Sequence, residues 1–283
     1  MRNFTFKGLL LTAVFMLLGC LSIQAADDDL ITKQITVKLD KAGTLPNMIT
    51  SSEMYKITNL KIIGEINGTD FRMIREMAGR DYRGDVTEGN LSVLDLSEAK
   101  IVEGGDYYYS SFTDYKVYTS NDEIGEYAFH DCSGLTSLTL PAGITSIGSR
   151  AFSYCHELTS LTLPDGITYI GGEAFYGCSG LTSLYVYSEK VPKIDGHVFE
   201  ECDAKKCTVY VPKGTYDDYW LSDFGYFENI VEFDATGIDK TTTSTDAKEV
   251  SRYSVNGQRL VGPTKGLNIV KYSDGSVKKV AVE

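Results

Sequence analysis

Residues 128–190 read AFHDCSGLTSLTLPAGITSIGSR (128–150), AFSYCHELTSLTLPDGITYIGGE (151–173) and AFYGCSGLTSLYVYSEK (174–190). Ala128, Ala151 and Ala174 open the three copies, so the period is 23 residues twice over. Self-similarity at a fixed period of this size marks a solenoid. A single copy is too small to bury its own apolar face. Stacked copies share one core that runs along the stack.

The spacing inside each copy gives the coil its parts. Leu135, Leu138 and Leu140 recur as Leu158, Leu161 and Leu163, then as Leu181, Leu184 and Val186. This L-x-x-L-x-L run, with Thr and Ser between, suits a strand with one buried face. Pro141 and Pro164 stop the strand, since proline donates nothing to a ladder. Gly143 and Gly166 supply a turn. Ile144, Ile147, Ile167 and Ile170 are expected to return to the core, and Phe129, Phe152 and Phe175 to stack beside the alanines.

These columns resemble the bacterial cell-surface BspA-like leucine-rich repeats, through the motif AFxxCxxLTSLxLPxGITxIGxx. The resemblance covers roughly residues 55–233 and is most specific in the middle third. It implies a right-handed, β-solenoid-like leucine-rich repeat fold, an exported protein, and adhesion or binding rather than catalysis. It also implies a source among the host-associated Bacteroidetes or certain protists.

Residues 1–25 have the form of an export signal: Arg2 and Lys7, then an apolar run from Leu9 to Leu18 that is too short to span a bilayer. Two cleavage readings are open. Ile23-Gln24-Ala25 permits cleavage before Ala26. Leu17-Leu18-Gly19-Cys20 resembles a lipobox and would make Cys20 a lipidated N-terminus, the one route to a membrane. Gln24-Ala25-Ala26-Asp27-Asp28-Asp29 resembles the short acidic surface-export tags of Bacteroidetes lipoproteins, which favours the second reading. The formal net charge is -12, and removing residues 1–25 leaves about -14. An acidic chain without a basic run argues against nucleic acid as a partner.

Outside the clear copies, residues 26–90 are expected to form an N-terminal α+β cap and a first rung. Ile35, Val37 and Leu39 alternate as a strand, and Ile57, Leu60 and Ile62 repeat the leucine spacing. Asp70 is placed to cap a helix running through Met77, with Gly79 at its end. Residues 91–233 form the solenoid. Leu91, Leu94 and Leu96 are a rung, Val209, Val211 and Pro212 the last one. Tyr216, Tyr219 and Trp220, on a short helix, are available to cover the open core end. Residues 234–249 read as a polar linker and 250–283 as a small C-terminal β module, with hairpin turns at Asn256-Gly257 and Asp274-Gly275. The module resembles the C-terminal modules of exported Bacteroidetes proteins, some of which are sorting signals. The fold class is therefore mainly β: a leucine-rich repeat solenoid with 23-residue repeats, an N-terminal α+β cap and a small C-terminal β module.

No chemistry is called for. Cys132, Cys155 and Cys178 recur at the coil period, with Cys202 one residue late. They read as a buried thiol column. Cys202 and Cys207 are the one off-register pair that an oxidising compartment would allow to join. No paired Cys or His spacing suggests zinc. Cys155-His156 is adjacent in sequence, whereas a nucleophile and its base must face each other. His130 and His156 read as solvent positions of the AFxxC turn. The phosphate, dinucleotide and hydrolase motifs are missing, so no catalytic residue, cofactor or metal is assigned.

The function read from this is binding to a protein or glycan, on host matrix or on other bacterial cells. A structural envelope spacer is the alternative, and an enzyme is third. The residues between the leucines, such as Thr136, Thr139, Thr159 and Thr162, make a plain face. Binding is therefore expected on aromatics, because Tyr, Trp and Arg dominate interface energetics. Tyr107, Tyr108, Tyr109 and Tyr115 share one insertion between coils, Gly104–Glu123, and Tyr185 and Tyr187 appear where the repeat first departs from its pattern. The insertion has two readings: a binding loop, or an excursion whose rings pack on their own coil.

Overall fold

Leucines spaced for a strand find their partners in the next coil. The computed structural model describes residues 30–235, 249–254, 259–263, 265–272 and 277–282. The export segment with Cys20, most of the linker, and the dipeptides Asn256-Gly257 and Asp274-Gly275 lie outside the described residues. The N-terminal part lays down β1 (Ile35–Lys38), α1 (Leu45–Met48), β2 (Asn59–Ile66), α2 (Gly68–Met77) and β3 (Val93–Ile101). A hairpin of β4 (Gly104–Ser110) and β5 (Lys116–Thr119) follows. Then come β6 (Glu123–Ile124), β7 (Ser137–Thr139), β8 (Ser146–Ile147), β9 (Ser160–Leu163), β10 (Tyr169–Ile170), β11 (Ser183–Val186) and β12 (Lys193–Ile194). The block closes with β13 (Thr208–Pro212), α3 (Tyr216–Trp220), a 3-10 turn at Asp223–Tyr226 and β14 (Asn229–Phe233).

One parallel sheet runs the length of the stack in the order β1-β2-β3-β7-β9-β11-β13-β14. Its central column is Ile35, Leu60, Leu94, Leu138, Leu161, Leu184, Val209 and Ile230, each facing the next across the ladder. From Leu60 onward every member is buried, and each contributes about 1.5–3 kcal/mol of transfer free energy. The sequence reading placed the last rung at β13. The structure adds β14 beyond it, paired along its whole length.

The isoleucines return to the core as expected, and Ile147 and Ile170, with Ile124 and Ile194, also build a second parallel sheet, β6-β8-β10-β12. Two-residue strands carry too little alternation to be read from sequence. Gly148 and Gly171 follow this sheet because the coils nearly touch there. A Cβ at either would stand 2.5 Å from a backbone nitrogen, of Glu126 and of Ser149 respectively.

The buried phenylalanines form a stack of their own. Phe129, Phe152, Phe175 and Phe199 lie nearly parallel, with centroids 5.5, 5.2 and 5.8 Å apart. The cysteines form the column beside it. Cys155, Cys178 and Cys202 each donate their thiol to a backbone carbonyl one coil back, on Phe129, Phe152 and Phe175. Cys132 is buried in the same column, and both Cys202 and Cys207 are free thiols.

Threonine hydroxyls tie the coils along the long sheet. Thr58 donates to the carbonyl of Ile31, Ser92 to Thr58, Thr136 to Ser92, Thr159 to Thr136 and Thr182 to Thr159.

Helix α2 differs from its sequence reading in one respect. Its N-cap is Asn67, and Asp70 is the third helical residue of a capping box. The buried Asp70 carboxylate also accepts the backbone N–H groups of Gly43 and Leu45, at 2.6 and 2.9 Å. It thereby fastens the helix to the loop after β1. From the last turn of α2, buried Arg75 donates to the carbonyls of Tyr127 and Ala128 and joins the helix to the first full copy.

At the other end, Phe224 and Phe227 are buried against Phe199, and buried Tyr219 packs on Phe224. Tyr216 and Trp220, also expected over the core, instead stack on each other and stay partly exposed. Beyond residue 248 a separate antiparallel sheet holds β15 (Glu249–Ser254), β16 (Arg259–Leu260), β17 (Gly266–Tyr272) and β18 (Val277–Val282), in the order β16-β15-β17-β18.

Candidate binding surface

The stretch Gly104–Ser110 is a strand, so successive tyrosines point to opposite faces. Tyr107 and Tyr109 share one face, and Tyr108 takes the other. Tyr108 is 1 % exposed, packs on Phe71 of α2 at 5.6 Å, and donates its hydroxyl to the Glu126 carbonyl at 2.8 Å. Gly125 makes room for it, because a Cβ there would lie 2.2 Å from the Tyr108 hydroxyl. Burial drives the Tyr108 hydroxyl well above the ordinary tyrosine range. Tyr108 therefore belongs to the core and cannot serve as a ligand contact. The expectation that placed it on the binding surface is corrected.

The other five rings of the insertion, Tyr107, Tyr109, Phe112, Tyr115 and Tyr118, are half-buried or exposed. Tyr109 is half-buried and stacks on Tyr127, with centroids 4.3 Å apart. Tyr115 is exposed and donates its hydroxyl to the Glu126 carboxylate at 2.8 Å. That hydrogen bond, then burial, raises its pKa. Tyr107 stands edge-on to Tyr82 and Tyr118, with Arg72 and Lys116 over its ring. Phe112 at the hairpin tip is fully exposed. The insertion thus answers to both of its readings. Tyr108 is buried in its own coil; on the opposite face Tyr109 is half-covered by Tyr127 and Tyr107 by Tyr82 and Tyr118, while Phe112, Tyr115 and Tyr118 are exposed.

The row continues over the turns of the next coils. His130 stands edge-on to Tyr109 and Tyr127, Tyr154 packs on His130, and Tyr176 on Tyr154. Sequence reading missed Tyr82, Tyr127, Tyr154 and Tyr176. They sit at different positions of their copies, so no column signals them. Tyr127 and Tyr154 also hold φ values of 56° and 63°, a left-handed backbone that is uncommon outside glycine. Arg150 braces the row. It makes a two-pronged ion pair with Glu173, at 3.0 and 2.9 Å, and donates to the Tyr127 hydroxyl. The same guanidinium holds the Glu173 carboxyl below its usual pKa.

His130 was expected in solvent and is not there. Its ring is half-buried in the tyrosine row, and burial lowers its pKa. His156 is exposed. The neighbouring Cys155 thiol is buried, points to a carbonyl, and is held well above its ordinary pKa by burial. A nucleophilic cysteine needs the opposite shift. Among the described residues, no group of three or more His, Cys, Asp or Glu is placed to hold a metal.

Tyr185 and Tyr187 belong to a second group at the far end of the long sheet. Tyr185 stacks on Tyr210 at 4.4 Å, and Phe233 stands edge-on to both Tyr185 and Tyr187. The Tyr185 hydroxyl is pushed up to about 12, first by burial, then by neighbouring hydroxyls that include Tyr253 of β15. An open groove beside Tyr187 is bordered by Asp165, Thr168, Glu189 and Lys190. Among the described residues, no ring contact joins the Tyr185 group to the hairpin group. The long sheet between them is lined by small hydroxylated residues, several already spent on interstrand carbonyls.

Two comparisons bear on this arrangement. Residues 100–219 match the family model of the BspA type leucine rich repeat region, in six copies. The curated proteins contain no match to the chain.

Proposed function

The chain is a BspA-like leucine-rich repeat protein, its repeat region spanning residues 100–219, and from that premise we propose that it is exported to the cell surface and binds another protein there, in an adhesion-like role. Leucine-rich repeat regions serve in general as non-enzymatic scaffolds for protein binding. The observation that carries the reading is where the aromatics lie. Tyr107, Tyr109, Tyr115 and Tyr118 sit on one hairpin whose inner face is anchored by Tyr108. Rigid, half-covered tyrosines lose little entropy on contact and offer large area.

The finer architecture belongs to the same reading. Residues 26–90 act as the N-terminal cap and first rung, residues 91–233 as a solenoid of 23-residue coils with its own C-terminal cap, and residues 250–283 as an appended β module. Solenoids need such caps because a terminal coil otherwise exposes its apolar face.

The test uses the full mature protein on immobilised extracellular-matrix proteins. Replacing Tyr107, Tyr115 and Tyr118 together by Ser should weaken capture severalfold and leave the melt unchanged. Equal capture by the triple variant would reject the hairpin as the binding surface. A spacer role has one observation in its favour, the hydroxyl ladder that occupies the threonine face. It would be preferred if the wild-type protein captured none of the matrix proteins. Mass spectrometry of the mature N-terminus separates lipidation of Cys20 from cleavage before Ala26.

A further inference from the structure

The chain holds eight arginines, and four of them fall within residues 72–83 although the protein as a whole is acidic. Two of the four are structural. Arg75 is buried against the carbonyls of Tyr127, Ala128 and Asp81. Arg80 pairs with Asp131 at 2.7 Å. The other two, Arg72 and Arg83, converge on one ring. Their guanidinium carbons lie 3.9 and 5.3 Å from the centroid of Tyr82, and Arg72 also reaches Tyr107 at 5.4 Å.

The acids nearby are engaged elsewhere. Asp81 accepts the backbone N–H groups of Arg83 and Asp85. Asp114 pairs with Lys116, and Asp106 accepts the Thr69 hydroxyl. Glu76, one turn beyond Arg72, forms no ion pair with it among the described residues, and burial raises its pKa against the pull of the Arg72 charge. Among the described residues, neither Arg72 nor Arg83 has a salt-bridge partner. Both are held by tyrosine instead, with Lys116 over the adjoining Tyr107 at 5.2 Å.

We infer that Arg72 and Arg83 on Tyr82, flanked by Tyr107 and Lys116, form a site for the carboxylates of an acidic polypeptide segment. This rests on the protein-binding reading above. A guanidinium is a planar fork that matches a carboxylate with two parallel hydrogen bonds. Stacking on a ring fixes the fork in advance and reduces the rotamer entropy lost on binding. Tyr and Arg together are the composition of protein-interface hot spots. The rest of the chain repels an acidic partner. The attraction is therefore local, acting within about a Debye length of 10 Å at 0.1 M salt.

The experiment measures a fluorescein-labelled hexaglutamate peptide on the full mature protein at low salt, with hexaglutamine and dextran sulfate alongside. Hexaglutamate should bind, bind less as salt rises, and bind about tenfold more weakly to Arg72→Gln/Arg83→Gln. Hexaglutamine should not bind, and Lys205→Gln/Lys206→Gln, at an exposed lysine pair outside the site, should behave as wild type. Equal affinity in the arginine double variant would overturn the site. So would binding of dextran sulfate without binding of hexaglutamate. If circular dichroism shows the double variant unfolded, the exposed Arg83→Gln decides alone, and unchanged affinity rejects the proposal. A protein that captures matrix proteins equally well with and without these arginines loses this site and keeps its protein-binding reading. One that captures no protein loses the reading itself.

Discussion

At the scale of single residues, His130 has the most testable consequence. It is packed among Tyr109, Tyr127 and Tyr154, and its Nδ1 finds no hydrogen-bond partner. Burial and the cations Arg75 and Arg150 disfavour its protonated form, with Asp131 pulling the other way. The folded pKa is therefore below the unfolded value of about 6.5. The unfolded chain takes up the proton first, so stability falls as pH drops through about 6.5 toward the folded pKa, and stays reduced below it. Other groups act on the same curve, among them His197, Glu173 and Glu76, whose carboxyl is raised by burial. His197, exposed beside Glu200, has a raised pKa and contributes in the opposite sense, its stabilisation being lost as pH rises. Glu173, lowered by Arg150, contributes above the ordinary carboxylate range and fades only in stronger acid. A difference between two proteins isolates the term. The melting temperature of wild type should fall more between pH 7.5 and 5.5 than that of His130→Tyr, which places at this position the residue that Tyr176 supplies two copies later. Equal slopes would acquit His130. Its environment was illegible in the sequence because the tyrosines around it come from the hairpin and from different positions of two copies. The cysteine column, by contrast, was legible because its members keep one phase.

At the scale of elements, the hairpin of β4 and β5 shows what a residue list misses. Three consecutive tyrosines look alike in sequence, yet the strand period of two divides them. The sequence named the insertion and its ring content. It did not reveal that Gly104–Ser110 is itself a strand packed on α2, because Gly-Gly-Asp is poor strand composition. The division gives unequal costs. Tyr108→Ala should destabilise the protein by about 3–5 kcal/mol, as for other large buried rings. Tyr108→Phe should cost about 1 kcal/mol for the hydrogen bond to the Glu126 carbonyl. Tyr107→Ser should stay within about 1 kcal/mol, since its ring lies on the outer face. Joint replacement of Tyr107, Tyr108 and Tyr109 would confuse core loss with surface loss. Urea titrations of the single variants keep them apart, and a neutral Tyr108→Ala would remove the hairpin from the core.

At the scale of the whole molecule, the stack behaves as a line of neighbours, in which each coil is stabilised by the coils on either side. The leucine and phenylalanine columns of the clear copies were legible, since a recurring column can be seen without any loop detail. The ends were less so. There, composition changes and burial depends on which aromatic reaches the terminal coil. Leu161 and Ile230 occupy the same column, and they test this picture together. Leu161 faces Leu138 on one side and Leu184 on the other, with 1 % of its surface exposed. Ile230 faces only Val209, on the last strand of the sheet, with 8 % exposed. An aspartate at Leu161 would bury an unpaired charge that no neighbour can satisfy, and would interrupt coupling between the two halves of the stack. Leu161→Asp should therefore abolish the single cooperative melt seen by circular dichroism. Ile230→Asp sits at an open edge where water can reach the carboxylate, and strand β14 can detach without separating other coils. It should lower the melting temperature while one cooperative transition survives. A Leu161→Asp variant that melted like wild type would mean that the coils do not share a core. Loss of cooperativity in Ile230→Asp alone would mean that stability is concentrated at the C-terminal end rather than distributed along the stack.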